Sequence, residues 1–456
     1  MSSRSRWSSR ARAPHVVVVG GGFAGLSAVR ALRRAPVKVT LIDQHVYNVF
    51  QPLLYQVATA TLNPGDISWF LRSVRSRQRN VRFVNGRVRA MDHTAKTVTL
   101  EGDVVVDYDY LIIAAGVTAN FFGIPGAEEY SMPLYTRSQA LAFRDAMFAR
   151  LEAAAIHGTD EDLRVIIVGG GATGVEMAGA LAELRNTDMP TTYPELDPRR
   201  THITLMEMVP NLLGPFEPSL REYARKSLVK RGVDIRLGTA VKEVRPDGVI
   251  DGNGEFVPAG LVVWASGITV SDEVKNWDLP QGRGGRIVID DHLRVRGMDH
   301  VFAIGDIASE EGDRALPQLA QPAMQQGKYI AELLADVLDG KADDIGDGPR
   351  FDYRDRGILA TIGRSSAVAQ IKRVPPVTGF PAWILWIVIH IFYLLGNRNR
   401  LATILNLAAR YLFWRRGHNA IVGDTPPIPT TGAESTASLP RQARTERARE
   451  PGAARR

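Results

Sequence analysis

The chain has 456 residues, of which 45% are hydrophobic and 23% charged, so it is long enough for about three domains with sizeable apolar cores. It contains no cysteine, which excludes disulfide bonds, cysteine-ligated metals and thiol nucleophiles. The formal net charge of +7 is concentrated near the two ends of the chain rather than in its centre.

Basic residues occur in three segments. Residues 1–13 contain four arginines and no acid, residues 380–416 contain five arginines and no acid, and residues 424–456 contain six arginines against four acids. The first segment has no apolar core and is not a secretory signal, and we expect it and the last segment to be disordered. The middle segment is also apolar and aromatic, which favours a membrane surface over nucleic acid as its partner.

The first recognisable unit begins with a run of valines and a glycine-rich turn. Residues 16–19 predict a buried strand, and the turn at residues 20–25 opens a segment of helical character. A second strand, at residues 40–43, ends at Asp43, 18 residues after Gly25. This pattern is typical of a dinucleotide-binding turn. The first glycine permits the turn, the second admits a pyrophosphate, and the third lets helix and strand pack closely.

Several short strands complete this unit. Residues 81–84, 88–91 and 97–100 alternate apolar and polar side chains between turn residues, as short strands do. Residues 110–116 predict a buried strand that ends in Ala115 and Gly116. Small residues at that point let a backbone approach a cofactor closely.

Residues 126–284 repeat the same layout. A strand at residues 165–168 is followed by a second glycine turn at residues 169–174, and a later strand ends at Glu207. A carboxylate at that position accepts hydrogen bonds from a ribose 2′-hydroxyl and repels a 2′-phosphate, so the second site is predicted to favour NADH over NADPH. Two such turns predict two dinucleotides in one protein, with electrons passing between them.

A third buried strand, predicted at residues 301–306, ends in Gly-Asp without a glycine turn of its own. We expect it to return to the first sheet, so that the second domain is inserted into the first. The predicted fold is α/β, with two Rossmann-like dinucleotide-binding domains and a C-terminal helical, membrane-associating segment. The predicted ranges are 14–125 and 285–345 for the first domain, 126–284 for the second, 346–423 for the C-terminal segment, and 1–13 and 424–456 for the disordered ends.

Residues 381–395 are apolar on every helical face, and Gly396-Asn397 predict the end of that helix. The run is shorter than the roughly 20 residues that span a bilayer. A second helix is predicted at residues 400–416, with one apolar face that comprises Leu401, Ile404, Leu405, Ala408 and Leu412. Two helices lying in one leaflet fit this length best, and a single membrane span and a buried core helix are the alternatives.

Three runs of this sequence resemble those of type II NADH dehydrogenases, which belong to the two-dinucleotide-binding-domain flavoproteins. They are FQPLLYQVAT at residues 50–59, AQPAMQQG at residues 320–327, and Trp383, Trp386 and His390 followed by GNRNR at residues 396–400. The resemblance covers residues 14–423. It implies FAD in the first domain, NADH in the second, and a membrane quinone, menaquinone or ubiquinone, as electron acceptor, without proton pumping. Because the apolar helix is short and NADH is available in the cytoplasm, we expect attachment to one leaflet on the cytoplasmic face of the cell membrane, and a homodimer stays open.

The same resemblance implies which residues form the sites. The implied catalytic residues are Glu176 near the nicotinamide and Gln321 and Gln325 where quinone meets the flavin ring. Gln321 and Gln325 share a helical face, and their amides donate hydrogen bonds without adding charge. No metal is expected, His390 is expected to be structural, and Trp383 and Trp386 are expected to anchor at an interface. The implied cofactor-binding residues are Gly20, Gly22, Phe23, Ala24, Gly25, Asp43, Gln51, Ala115, Gly116, Gly169, Gly171, Gly174, Glu207, Gly267, Asp306 and Gln321.

Other functions share this architecture. Disulfide reductases and sulfide:quinone oxidoreductases need reactive cysteines, which this chain lacks. A soluble NADH-dependent ferredoxin or rubredoxin reductase needs none, but it does not explain the apolar, basic C-terminal segment. A non-catalytic module that senses redox state by holding FAD and NADH is the alternative from another class. NADH oxidation in the presence of a quinone separates these hypotheses.

Overall fold

Strands and helices alternate in the first part of the chain, as the sequence predicts. The computed structural model describes residues 13–157, 163–310 and 316–413. The first elements are β1 (His15–Val19), α1 (Phe23–Ala31), β2 (Lys38–Asp43), β3 (Tyr47–Val49), α2 (Leu54–Ala58), β4 (Ser68–Phe70), α3 (Val74–Arg77), β5 (Val81–Asn85), β6 (Val88–Asp92), β7 (Thr97–Leu100), β8 (Val105–Asp107), β9 (Tyr110–Ile113) and β10 (Thr118–Ala119).

The middle of the chain repeats this alternation and then continues into a long helix. Its elements are α4 (Ala127–Tyr130), β11 (Met132–Pro133), α5 (Arg137–His157), β12 (Val165–Val168), α6 (Ala172–Glu183), α7 (Met189–Thr192), β13 (Ile203–Glu207), α8 (Pro218–Lys230), β14 (Asp234–Leu237), β15 (Val241–Arg245), β16 (Gly248–Asp251), β17 (Phe256–Pro258), β18 (Leu261–Trp264), β19 (Ile268–Thr269), β20 (Ile287–Ile289), β21 (Val301–Ala303), β22 (Ala308–Glu310) and α9 (Ala320–Leu338).

The first domain is built on a five-stranded parallel sheet with the strand order β21-β9-β1-β2-β5. The central strand β1 is buried along its whole length, as a continuous apolar run in a parallel sheet predicts. Because β21 pairs with β9, the chain returns to the first sheet after the second domain, which confirms the predicted insertion. Helix α9 packs against α1, and the Ser27 hydroxyl donates a hydrogen bond of 2.6 Å to the Met324 carbonyl.

The second domain has a matching parallel sheet with the order β11-β18-β12-β13-β14. Each domain also carries a three-stranded antiparallel sheet, β6-β7-β8 in the first and β15-β16-β17 in the second. The strand predicted at residues 81–84 does not join the antiparallel sheet of its neighbours in sequence. It pairs in parallel with β2, because its apolar residues Val81 and Phe83 are buried against the main sheet.

The C-terminal part comprises a small antiparallel sheet followed by two helices. Its elements are β23 (Ile358–Thr361), β24 (Ala367–Gln370), β25 (Val377–Thr378), α10 (Gly379–Tyr393) and α11 (Asn397–Ala408), with a π-helical turn at Ala409–Phe413. The prediction that Trp383 and Trp386 anchor at an interface is wrong. Both side chains are buried, Trp386 with only 1% exposure, because this face of α10 packs on the rest of the protein.

The second C-terminal helix begins three residues earlier than predicted, directly after Gly396. Three residues of its predicted apolar face, Leu401, Ile404 and Leu405, are exposed. The buried side of the helix instead carries Thr403 and Leu407. Within the described ranges, no helix is long and apolar enough to cross a membrane. The ends of the chain predicted to be disordered fall almost entirely outside the described residues.

Candidate functional site

The first glycine turn has the geometry of a dinucleotide-binding turn. Gly20 adopts a φ of +106°, and a Cβ there would lie 2.2 Å from the Ala114 carbonyl oxygen. A Cβ on Gly25 would lie 1.9 Å from the Gly20 carbonyl oxygen, so only glycine lets α1 pack this closely on the turn. Gly22 opens α1 and faces free space. The turn therefore fits a pyrophosphate at the N-terminus of α1.

The second glycine turn repeats this geometry at the N-terminus of α6. Gly169 has a φ of +111°, and a Cβ on Gly174 would lie 1.9 Å from the Gly169 carbonyl oxygen. Gly171 opens α6 and again faces free space. The conformational roles predicted for the first and third glycines are thus confirmed in both turns.

A carboxylate is fixed beside each turn by backbone hydrogen bonds. Asp43 accepts from the N–H of Gly21 (2.5 Å) and of His45 (2.7 Å). Burial raises the pKa of Asp43, while these two N–H groups oppose that shift. Glu207 accepts in the same way from the N–H of Gly170 (2.6 Å) and of Val209 (3.0 Å). Each carboxylate is therefore fixed beside the backbone of its glycine turn.

One cavity of 1320 Å³ connects the first turn with the second turn and with α10. Since pockets for drug-sized ligands have about 300–1,000 Å³, this cavity has room for more than one such ligand. Its lining contains most of the site residues predicted in the first domain, together with Gly171 and Glu176 of the second domain. The predicted residues that line it are Gly20, Gly22, Phe23, Ala24, Asp43, Gln51, Ala115, Gly116, Gly171, Glu176, Asp306 and Gln321.

Other predicted residues lie outside the lining of this cavity. Gly25, Gly169 and Gly174 form the packed backs of the two turns. Glu207 lies at the end of β13, beyond the cavity, with its neighbour Met208 exposed. Gly267 also lies outside the lining. A Cβ at this position would lie 2.2 Å from the Phe122 ring.

The two glutamines predicted to share one role are separated by the structure. Gln321 is half-buried and lines the cavity. Gln325 does not line it, because its amide donates to the Arg354 carbonyl (3.0 Å) and accepts from the Arg354 N–H (3.0 Å). The side chain of Gln325 thus attaches the segment around residue 354 to α9.

Sequence reasoning missed Gln326, which holds the turn that carries Asp306. Its side-chain oxygen accepts a hydrogen bond from the Gly305 N–H (2.7 Å), and the Arg286 and Gln318 side chains donate to the Asp306 carbonyl (3.1 and 3.0 Å). Burial raises the pKa of the Asp306 carboxyl group to about 6, although nearby Arg286 lowers it. The Gly-Asp pair was visible in the sequence, but its partners lie on other elements.

Glu176 lies on α6 in a buried polar cluster. Its carboxyl oxygen accepts from the Thr361 backbone N–H (3.2 Å), and the Thr361 hydroxyl lies 3.0 Å from the Tyr55 hydroxyl. Gln56 donates to the same Tyr55 oxygen (2.9 Å). Burial raises the pKa of Glu176 to about 8, so a neutral carboxylic acid predominates at neutral pH.

The inner face of α10 forms part of the wall of the cavity. His390 and Trp386 stack with their ring centres 3.9 Å apart, and His390 Nδ1 lies 2.7 Å from the Trp386 carbonyl oxygen. Burial lowers the pKa of His390 to about 4. The ring of Tyr55 packs edge-on against Trp386 at 6.2 Å. His390 was left out of the predicted site, but it lines the cavity together with Ile389 and Tyr393.

A cluster of ionisable side chains outside this cavity has the spacing of metal ligands. Asp290, Asp291 and His292 are neighbours in a turn. Asp290 pairs with Arg294 (2.9 Å), and Asp291 contacts both His292 (3.0 Å) and an arginine at position 350 (2.8 Å). These contacts account for the cluster as part of the turn, and we assign no metal to it.

The matches to family models divide the chain as its architecture does. Residues 14–327 match the model described as pyridine nucleotide-disulphide oxidoreductase, and residues 356–416 match the NDH2 C-terminal domain. Among solved structures, NDH2 from Plasmodium falciparum in complex with NADH is similar, with a TM-score of 0.81 and 20% identity over 89% of this chain and 99% of that one. At this identity the likeness concerns the fold alone.

Curated relatives are similar over nearly their whole length. The type II NADH:quinone oxidoreductase NdhA of Mycobacterium tuberculosis is 35% identical over 424 residues, which cover 89% of either chain. The enzyme Ndh of the same organism is 34% identical over 447 residues, which cover 95% of either chain. With both family models in their expected places, the chain belongs to the type II NADH:quinone oxidoreductase family.

Proposed function

We propose that this protein is a flavoenzyme that oxidises NADH and reduces a quinone at a membrane surface. The observation that carries the proposal is one cavity whose lining includes the FAD-type turn, the second glycine turn and the inner face of α10. Electron transfer from a nucleotide to an acceptor through one cofactor needs both partners to reach that cofactor, and a shared cavity provides this access. When bound, FAD would supply the redox chemistry by accepting a hydride from NADH and passing two electrons, with two protons, to the quinone.

The nucleotide sites follow from the two turns. For FAD we assign the pyrophosphate to the N-terminus of α1, the ribose to Asp43, and the backbone of Ala115 and Gly116 to close contact along the cofactor. For NADH we assign the pyrophosphate to the N-terminus of α6 and the ribose to Glu207. Gly116 has a φ of +72° and no atom near the position of its missing Cβ, which leaves room for a flat ring system.

The quinone end of the cavity is proposed to lie between Gln321 and α10. The Gln321 amide donates a hydrogen bond to a quinone carbonyl without placing a charge in an apolar channel. Glu176, neutral at physiological pH because burial raises its pKa, holds a proton near that end. Neutral His390, whose pKa burial lowers, adds a polar but uncharged wall.

Membrane attachment is proposed through the outer faces of α10 and α11, which we call the apolar face. Its members are large hydrophobic side chains between 42% and 66% exposed, namely Phe380, Ile384, Val388, Phe392, Leu401, Ile404 and Leu405. Those on α10 recur every four residues and therefore lie on one side of the helix. Contiguous exposed apolar surface marks a membrane or protein interface. We place this face on the cytoplasmic side of the cell membrane, where NADH is available, with menaquinone or ubiquinone as acceptor.

The assay that tests the function compares electron acceptors. Detergent-solubilised, FAD-loaded protein should oxidise NADH rapidly with a quinone analogue, and slowly with ferredoxin or rubredoxin. Rapid turnover with the soluble iron–sulfur proteins would support the soluble reductase instead. Reduction of the flavin by NADH without turnover on any acceptor would support a redox-sensing module.

A further inference from the structure

Three arginines lie on elements that meet where the first domain contacts the turn between α10 and α11. Arg30 ends the last turn of α1, Arg77 ends α3, and Arg400 lies in the first turn of α11. Partial burial, and after it the positive charges of Arg400 and Arg77, lower the pKa of the Arg30 guanidinium group. We call Arg30, Arg77 and Arg400 the arginine cluster.

Contacts of neighbouring residues bring α1, α3 and the turn before α11 together. The Arg30 guanidinium lies over the Trp69 ring, 5.7 Å from its centre, and a Cβ on Gly396 would lie 3.0 Å from Trp69 Cδ1. The Arg400 N–H donates to the Gly396 carbonyl (3.0 Å). On the other side of Arg30, the Gln78 side chain donates to the Val29 carbonyl (2.8 Å), which fixes the end of α3 beside the end of α1.

No carboxylate of the described residues forms an ion pair with any of the three guanidinium groups. Among the described residues, the Arg400 side chain donates to two backbone carbonyls, those of Leu394 (2.8 Å) and Phe392 (2.7 Å). Neighbouring groups crowd the Arg30 guanidinium group enough to lower its pKa, but the side chains of Arg30 and Arg77 both retain solvent-exposed surface. Three like charges held together cost electrostatic free energy, and an anion shared between them offsets that cost.

The arginine cluster adjoins the apolar face. The Arg400 guanidinium lies 6.0 Å from the centre of the Phe392 ring, which is among the most exposed apolar side chains of α10. Leu401, also exposed, follows Arg400 directly in the chain. Trp69, which is half-buried between Arg30 and Gly396, supplies the amphipathic ring that is common at the level of lipid headgroups. Positive charge and apolar surface thus meet at one edge.

We propose that Arg30, Arg77 and Arg400 bind the phosphodiester headgroup of an anionic phospholipid whose acyl chains lie against the apolar face. Guanidinium groups suit this ligand because their N–H donors match the oxygens of a phosphate. The site uses two arginines of the nucleotide-binding domain, so a lipid bound there fixes the orientation of that domain on the bilayer. This inference rests on the membrane attachment proposed above.

The test measures binding of FAD-loaded protein to vesicles of phosphatidylcholine alone and of phosphatidylcholine with one quarter phosphatidylglycerol. The variant is R30Q/R77Q, which spares Arg400 because that side chain also holds the end of α10. Its control is K230Q/K242Q, which removes two exposed charges from the second domain and changes the net charge equally. Unchanged FAD content and unchanged NADH oxidation with a water-soluble quinone show that the variants are folded, since none of these four residues lines the cavity.

We expect R30Q/R77Q to lose about tenfold or more in affinity for the anionic vesicles and to bind neutral vesicles like the wild type, whereas K230Q/K242Q changes less than about twofold. An equal loss in both double variants would show attraction by net charge alone and would overturn the headgroup site. Unchanged binding of R30Q/R77Q would overturn it as well. Failure of the wild type to bind either kind of vesicle would instead refute the membrane attachment, and the headgroup site with it.

Discussion

The backbone N–H of Thr361 donates a hydrogen bond of 3.2 Å to the carboxyl group of Glu176. Thr361 ends β23 of the C-terminal part, and Glu176 lies on α6, directly after the second glycine turn. Trp386 approaches the same carboxyl group with its indole N–H, although without hydrogen-bond geometry. The proposed NADH site and the wall of the quinone end therefore meet at a single buried acid.

The first prediction concerns the stability of the protein with Glu176→Gln. Burial raises the pKa of Glu176 from 4.5 to about 8, so the folded protein binds a proton that the unfolded chain releases between these values. Stability therefore falls as the pH rises from about 5 to about 8 in the wild type, and the variant lacks this fall. The Tm of the variant should therefore exceed that of the wild type by a margin that grows with pH across this range. The margin should be about 2–4 °C for each kcal/mol of difference in unfolding free energy. A constant difference would show that Glu176 is already ionised at pH 5.

The second prediction concerns Gln321→Ala. This side chain lines the cavity, so its loss should slow reoxidation of the flavin by quinone by about two- to tenfold, the cost of one neutral hydrogen bond. Flavin reduction by NADH should be unchanged in stopped-flow measurements. Gln325→Ala should leave both half-reactions unchanged, because its amide is bound to Arg354. Slowed flavin reduction with normal reoxidation would place Gln321 on the wrong side of the cofactor.

The third prediction concerns the choice of nicotinamide. Glu207→Gln removes the negative charge that repels a 2′-phosphate and weakens the bonds to Gly170 and Val209. The ratio of kcat/KM for NADH to that for NADPH should fall by about tenfold, which corresponds to the loss of a charged hydrogen bond. The KM for quinone should not change. Equal use of both nucleotides by the wild type would refute the role of Glu207.

The fourth prediction concerns the apolar face. The double variant I384S/V388S should bind neutral vesicles at least about tenfold more weakly, because it removes apolar area that would leave water. The matched control is V105S/V229S, whose valines have similar exposure, between 49% and 59%, but lie on β8 and α8. Truncation before α10 would be a poorer test, since it also removes buried Trp386. Equal binding of the two double variants would place the membrane contact elsewhere.

The local parts of the site could be predicted from the sequence, because their chemistry depends on short-range patterns. The turns after β1 and β12, and the carboxylates that end β2 and β13, follow directly from strand, glycine and acid spacing. The surroundings of Glu176 could not be predicted, because its partner Thr361 lies 185 residues away in the chain.

Helical periodicity was also insufficient at two places. It placed Gln321 and Gln325 on one face of α9, but it carries no information about the neighbouring Arg354 segment that binds only one of them. Residues 381–395 are apolar all round, so the pattern gave no preferred side, and the buried position of Trp386 was missed. In both cases the deciding contact comes from another element.

The central claim is that the cavity leads from the flavin site to the inner face of α10, and a bulky residue at that end tests it most directly. Ile389 lines the cavity, whereas its neighbour Val388 points outward. Ile389→Trp should lower the rate of flavin reoxidation by a water-soluble quinone by more than tenfold, while NADH still reduces the flavin at the wild-type rate, and Val388→Trp should change neither rate. Normal reoxidation in Ile389→Trp, or an equal loss of both half-reactions, would contradict the assignment of this end of the cavity to the quinone.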